Sequence, residues 1–220
     1  DEYGYTVIAP GFGFLRDIFT EPYIVNWRLT RNGAVSSEMP GVTVPYEAFP
    51  GSIGVMPGNP EVDKILKREA GLAGAGGAVL MPSGPGALPA DLCGEGGTAE
   101  DRCLRTIPPR ENGGNMDVQQ QQIGTRMLFP CFIDGCGLFV GDVHYAQGDG
   151  EVSGTAIEMG SITTLRVVKI HEGKGSRMSM PATKGNDQII DMEPARYYQT
   201  VGIPLKAAGE LPPTHQYLTG

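Results

Sequence analysis

Hydrophobic and polar residues alternate in short runs along much of this chain, and a period of two predicts strands. Tyr5-Thr6-Val7-Ile8 and Tyr23-Ile24-Val25-Asn26-Trp27 fall within two such stretches, residues 3–9 and 23–29. Gly51-Ser52-Ile53-Gly54-Val55-Met56 reads as a short buried strand, and Met127-Leu128-Phe129, Phe132-Ile133 and Leu138-Phe139-Val140 are strand-like. The run from Ile162 to Ile170 alternates cleanly and predicts another strand. Residues 187–202 predict a further strand pair or a short helix. One helix stands out, over about residues 60–70. Asn59 is placed to cap it, Pro60 sits at its first position, and Glu61 and Asp63 lie near its positive end.

Composition sharpens this picture. Gly 33 and Pro 18 make up roughly a quarter of the 220 residues, about twice the usual share. With hydrophobic content at 40%, the chain reads as a loop-rich β protein rather than a disordered one. Residues 71–112 form the longest irregular stretch, and such stretches usually carry function. A net charge of −8 disfavours nucleic acid and anionic membranes as partners. No apolar run approaches the ~20 residues of a membrane span. No signal peptide is visible, and the chain opens on Asp1-Glu2-Tyr3 without an initiator Met, so a single domain or a large fragment over 1–220 is expected. Cys93, Cys103, Cys131 and Cys136 form no Cys-x-x-Cys pair, which argues against a zinc ribbon. A chain of this size does not need disulfides, so reduced thiols and a cytoplasmic location are expected. His171 and His215 stand alone and read as surface or cap residues.

The densest chemistry lies in Gly141-Asp142-Val143-His144-Tyr145-Ala146-Gln147-Gly148-Asp149-Gly150-Glu151. It extends the strand that begins at Leu138. Alternation puts Asp142 and His144 on one face, with Val143 and Tyr145 on the other. Asp149-Gly150 signals a turn, and Val152 to Glu158 reads as the return strand of a hairpin. A carboxylate beside an imidazole suits metal-assisted hydrolysis. The alternative is a polar surface hairpin with a paired Asp and His. Upstream, Glu111-Asn112-Gly113-Gly114-Asn115-Met116-Asp117 carries a double glycine that lets the backbone approach a neighbour closely. Its competing reading is a tight turn with Asx capping.

Four segments, in order, resemble the acetamidase/formamidase family, most closely its formamidase branch. They are Pro10-Gly11-Phe12-Gly13-Phe14-Leu15-Arg16-Asp17, Phe49-Pro50-Gly51-Ser52-Ile53-Gly54-Val55, Pro109-Arg110-Glu111-Asn112-Gly113-Gly114-Asn115-Met116-Asp117, and the Gly141–Glu151 run; Ala156-Ile157-Glu158-Met159 also fits. The resemblance implies a β-rich α/β protein of double β-barrel or sandwich type with few short helices, assembled as a homo-oligomer. It implies hydrolysis of a short aliphatic amide, formamide first, to acid and ammonia. Asp142 and His144 would be metal ligands or substrate contacts, with Glu158 completing the set. Glu151 or Asp149, with His144, would do the catalytic proton work. Asn115, Asp117 and Gln147 would meet the substrate. The cofactor would be a divalent ion, zinc or calcium, with no organic cofactor. Family members are nearly twice as long, so an N-terminal barrel and the region after Gly220 are expected to be missing. Two other functions compete. One is a cysteine-nucleophile amidase, with Cys131 or Cys136 joined by Glu151 and Lys169. The other is a non-catalytic ligand- or calcium-binding subunit using Asp149 and Glu151, although the EF-hand spacing is not met.

Overall fold

Tyr3–Ile8 (β1) and Tyr23–Thr30 (β2) pair antiparallel, from Tyr3 opposite Arg28 to Ile8 opposite Tyr23. In this computed structural model, residues 2–10, 13, 15, 18–74, 89–168, 181–184 and 198–199 are described. Gly33–Val35 (β3) and Thr43–Val44 (β4) continue the meander, giving a sheet in the order β1-β2-β3-β4. Alternation works as expected in β2, where Val25, Trp27 and Leu29 turn inward and their neighbours face out. These three join Ala34, Tyr145, Ala146 and Ile157 in the larger core cluster. Each such side chain stabilises the fold by about 1.5–3 kcal/mol when fully buried. Tyr145 and Ala146 lie within the chemistry-rich segment and Ile157 beyond it, so the core pins that segment from behind.

A second sheet carries the chemistry. Phe49–Val55 (β5) runs between Gly113–Asn115 (β6) and Leu138–His144 (β8). Its register runs from Phe49 opposite His144 to Val55 opposite Leu138. Ile53, Met116 and Val118 form the smaller core cluster behind it. Arg126–Leu128 (β7), Ala182–Lys184 (β9) and Tyr198–Gln199 (β10) make a third sheet in the order β10-β9-β7. The first two sheets meet at Glu158, whose backbone bridges Tyr5 of β1 and His144 of β8. The fold is therefore β-rich, antiparallel and poor in helix. Among the described residues the strands do not close into a barrel.

Several expectations change. Val152 to Glu158 forms no return strand. It turns, and only its end pairs: Ile157 comes back to Tyr145 and Ala146 and Glu158 to His144, as a hairpin would, while Glu158 also pairs with the distant Tyr5. Residues 162–168 are not a strand either, and Ile162 is 98% exposed; alternation supplies propensity, but a strand needs a neighbouring edge. Phe132-Ile133 lies in the loop closed by Cys131 and Cys136.

The expected helix is longer, spanning Asn59–Gly74 (α1). Val62 N–H donates to Gly58 O, so the cap position falls at Gly58, and Asn59 Oδ1 accepts from Arg102 instead. Within the region 71–112, residues 71–74 and 89–112 are described. It contains the short helix Ala90–Cys93 (α2) and is tied to α1 by Arg105 and Arg110, which both reach Glu69. Glycines 113 and 114 do require left-handed backbone, at φ +89° and +109°. A Cβ on Gly113 would lie 2.5 Å from Ile53 O, so Gly113 also permits the close approach of β6 to β5.

The reduced-thiol expectation is overturned. Cys93 is bonded to Cys103 and Cys131 to Cys136, with Cα separations of 5.6 and 4.8 Å that suit a disulfide. No free cysteine remains, so a cysteine nucleophile is excluded, and the thiol argument for a cytoplasmic location goes with it. No helix among the described residues is long and apolar enough to cross a membrane. Lys169, Ile170, His171, His215 and most of residues 10–17, 75–88 and 187–202 lie outside the described residues.

Candidate active site

β8 ends at His144, and the imidazole there is completely buried. Phe49, its partner across the ladder, packs edge-on against it with ring centroids 5.1 Å apart. Four carboxylates converge on Nε2. Asp142 Oδ1 lies at 3.4 Å, Glu158 Oε1 at 3.5 Å, Glu151 Oε1 at 3.7 Å and Asp117 Oδ1 at 3.9 Å. Neither imidazole nitrogen has a hydrogen-bond partner, and neither does the buried Asp117 Oδ1. Buried polar atoms are rarely left this way, so the arrangement suits a cation held among these atoms.

Each acid is set by backbone. Asp142 sits two residues before His144 on the same strand face. Asp117 follows β6, and its N–H and that of Met116 donate to Gly51 O at 3.1 and 3.0 Å. Glu151 closes a turn through its N–H to Gly148 O at 3.3 Å. Glu158 is held by reciprocal backbone bonds with Tyr5 at 2.8 and 3.1 Å, and its Oε1 accepts from Ala156 N–H at 2.9 Å. Asp117, Asp142 and Glu151 adopt positive φ, at 50°, 55° and 43°. Among the described non-glycine residues only Cys136 shares that conformation. Such backbone costs about 1–3 kcal/mol per residue and persists where surroundings enforce it, often at functional sites.

Electrostatics follow from crowding. Burial, then the neighbouring carboxylates, push Asp117 up to about 7 and Glu151 up to about 8. Burial also raises Glu158. Asp142 goes the other way, because His144 and the Ser52 hydroxyl favour its anion over the opposing effect of burial. Burial disfavours the charged imidazole, but Asp142, Glu158 and Glu151 outweigh it and raise His144 to about 9. Among the described residues, the imidazolium is the only positive group facing these acids.

A divalent ion fits this donor set. Asp117, Asp142 and His144 form one compact group of ligand atoms, and His144, Glu151 and Glu158 form another; within each group the atoms lie within 4.8 Å of one another. One nitrogen with several carboxylate oxygens is a mixed donor set for a hard or borderline cation. Alongside lies a cavity of about 660 Å3, walled by Trp27, Val42, Val44 and Ile157. It touches the cluster through Glu151 alone of the five.

The Acetamidase/Formamidase family model matches residues 1–216. The chain belongs to the acetamidase/formamidase family. It is 36% identical over 173 residues to an acetamidase from Mycolicibacterium smegmatis and 33% identical over 170 residues to a formamidase from Methylophilus methylotrophus. Each alignment covers 74% of this chain and 42% of the relative, so the chain spans less than half the length of either. Among solved structures, a gamma lactamase from Delftia acidovorans superposes with a TM-score of 0.69 at 30% identity, over 83% of this chain and 47% of that one.

Set beside the family segments quoted from sequence, the geometry gathers Asp117, Asp142, His144, Glu151 and Glu158 into one cluster. Asp149 is not part of it. It is exposed and accepts a hydrogen bond from Gln119, because the turn points it outward while Glu151 turns in. Gln147 donates to Asp117 O at 3.0 Å and so braces the acid's loop. Asn115 is likewise tied on both sides. Its Nδ2 donates to Ile107 O at 3.1 Å, and its Oδ1 lies 2.9 Å from the Ser52 hydroxyl. That hydroxyl is 3.1 Å from Asp142 Oδ2. Ser52 and Gly51 were missed as site residues, although both lie in the quoted Phe49–Val55 segment. A Cβ at Gly51 would lie 2.7 Å from Asp117 Oδ1, 2.7 Å from His144 Cε1 and 2.8 Å from Asp142 Oδ2. A glycine in the middle of a buried strand was the available signal.

Proposed function

We propose that this protein hydrolyses the C–N bond of a short aliphatic amide, formamide to formate and ammonia being the minimal case. The observation that carries this reading is the convergence of four carboxylates on the buried, hydrogen-bond-free Nε2 of His144, in a chain of amidase relatives. His144, Asp142 and Asp117 would hold a divalent ion, with Glu158 as a further ligand. Such an ion supplies carbonyl polarisation and a stronger water nucleophile.

The remaining work falls to the chain. Ser52, fixed by Asn115, keeps Asp142 turned toward the imidazole. Gln147 holds the Asp117 loop in place. Glu151, whose Oε1 lies 3.7 Å from His144 Nε2, is placed to take the proton from the attacking water and return it to the departing nitrogen. Water oxygen bonds to the carbonyl carbon, the C–N bond breaks, and nitrogen leaves as ammonia.

The test is ammonia release from formamide, acetamide and propionamide, repeated after chelation and after zinc or calcium is restored. Activity that falls on chelation and returns with one of the ions supports the proposal. Full activity after exhaustive chelation removes the ion, and no release from any of the amides removes the reaction.

A further inference from the structure

The cavity beside Glu151 is far larger than formamide requires. Its volume of about 660 Å3 lies within the usual range for small-molecule pockets. At ~30 Å3 per water it has room for roughly twenty waters, whereas formamide has about three heavy atoms. Its walls are apolar: Ile8, Trp27, Met39, Val42, Val44 and Ile157 all line it. Glu151 belongs to the same lining, and its Oε1 is 3.7 Å from His144 Nε2. Glu151 is thus common to the cluster and to the lining of a largely apolar cavity.

We propose that this cavity is the acyl subsite, and that the protein prefers primary amides carrying a bulky apolar acyl group, alicyclic ones included, over formamide. This rests on the amidase reading. The carboxamide head sits at Glu151 and the cluster, and the hydrocarbon lies against Val42, Val44 and Trp27. Each methylene moved from water into such a lining contributes roughly fourfold in affinity. Polar residues, Glu47 and Gln147 among them, also line the cavity but do not extend its apolar wall.

Cyclohexanecarboxamide and formamide separate the possibilities. Calorimetric or NMR titration of the protein should give a Kd for cyclohexanecarboxamide at least tenfold below that for formamide. The variant Val42→Trp places a large side chain in the wall. It should lower the ratio of kcat/KM for cyclohexanecarboxamide to that for formamide by tenfold or more. Met39→Trp is the second variant, for use if Val42→Trp fails to fold as judged by circular dichroism. Equal or weaker binding of the larger amide overturns the assignment, as does a ratio that neither variant moves. Tight, Val42-dependent binding without hydrolysis of any amide leaves the subsite standing and removes the amidase reading. Formamide hydrolysis without binding of the larger amide does the reverse.

Discussion

Replacing Gly51 with Ala is the sharpest single test of the cluster. The new methyl would meet three atoms at once, Asp117 Oδ1 and His144 Cε1 at 2.7 Å and Asp142 Oδ2 at 2.8 Å. All three belong to ligand side chains, and the imidazole is packed against Phe49, so none can withdraw freely. Overpacking of this kind costs about 1–3 kcal/mol of stability. The larger effect falls on function, because a displacement of about 1 Å in reacting groups costs about 100-fold in rate, or ~2.7 kcal/mol. Gly141→Ala is the control. It lies on the adjacent strand, opposite Ser52, and a Cβ there would meet nothing within 4 Å. Urea unfolding at constant slope gives the stability change, and steady-state ammonia release gives the rate. The expected pattern is a soluble Gly51→Ala protein with kcat/KM down by about 100-fold and weakened ion binding, beside a Gly141→Ala protein within about 0.5 kcal/mol of the parent. A Gly51→Ala protein with parental ion affinity and rate would refute the argument that the floor of the site must be bare backbone.

Three further outcomes follow. Glu151→Gln should lower kcat by about 100- to 10,000-fold while ion binding is retained, whereas His144→Ala should lose both; equal ion loss in the two would remove the distinct proton-transfer role of Glu151. Glu69 is held below the ordinary Glu value because Arg105 and Arg110 outweigh the burial that would raise it. Its contribution to stability is therefore present above the unfolded-state value and lost as pH falls through the lowered folded value, so Glu69→Gln should flatten the acid limb of the melting curve between about pH 5 and pH 2; an unchanged slope would assign that limb to other groups. Replacing Cys93 and Cys103 by Ser should cost about 2–3 kcal/mol, as expected for a cross-link separated by 10 residues, with amide turnover retained at permissive temperature; inactivation of a well-folded variant would count against this assignment.

Much of the fold was legible because its period is local. β1, β2, β5 and β8 carry their alternation or buried runs within themselves, and each appeared close to its expected place. Residues 162–168 show the limit of that signal, since alternation cannot report whether an edge is available. The segment ending at Glu158 shows it again. Its partners are Tyr5 and His144, and the separation from Tyr5 makes that pairing a property of the whole chain. Disulfide pairing was invisible for a related reason, because it depends on Cα distances that only the fold sets. Within the site, Asp142 and His144 could be paired from spacing alone. Asp117, Glu151 and Glu158 were reached through resemblance, and Asp149, named with them, lies outside the cluster because a turn does not announce which of its acids points inward. Ser52 acts through a residue 90 positions away, which no local pattern records.

The double bridge at Glu158 has a mechanical consequence. Its main chain splices two sheets, while its carboxylate belongs to the cluster. The wall of the acyl cavity on the β1 side and the donor atoms at His144 are thus attached to one peptide unit. A side chain can be exchanged at this position without opening the seam, because the seam consists of backbone bonds. Conversely, any strain that shifts β1 is handed to the carboxylate without passing through a flexible linker. Occupancy of the hydrocarbon pocket and the placement of an acid at the reacting centre are, in that sense, two readings of the same hinge pin.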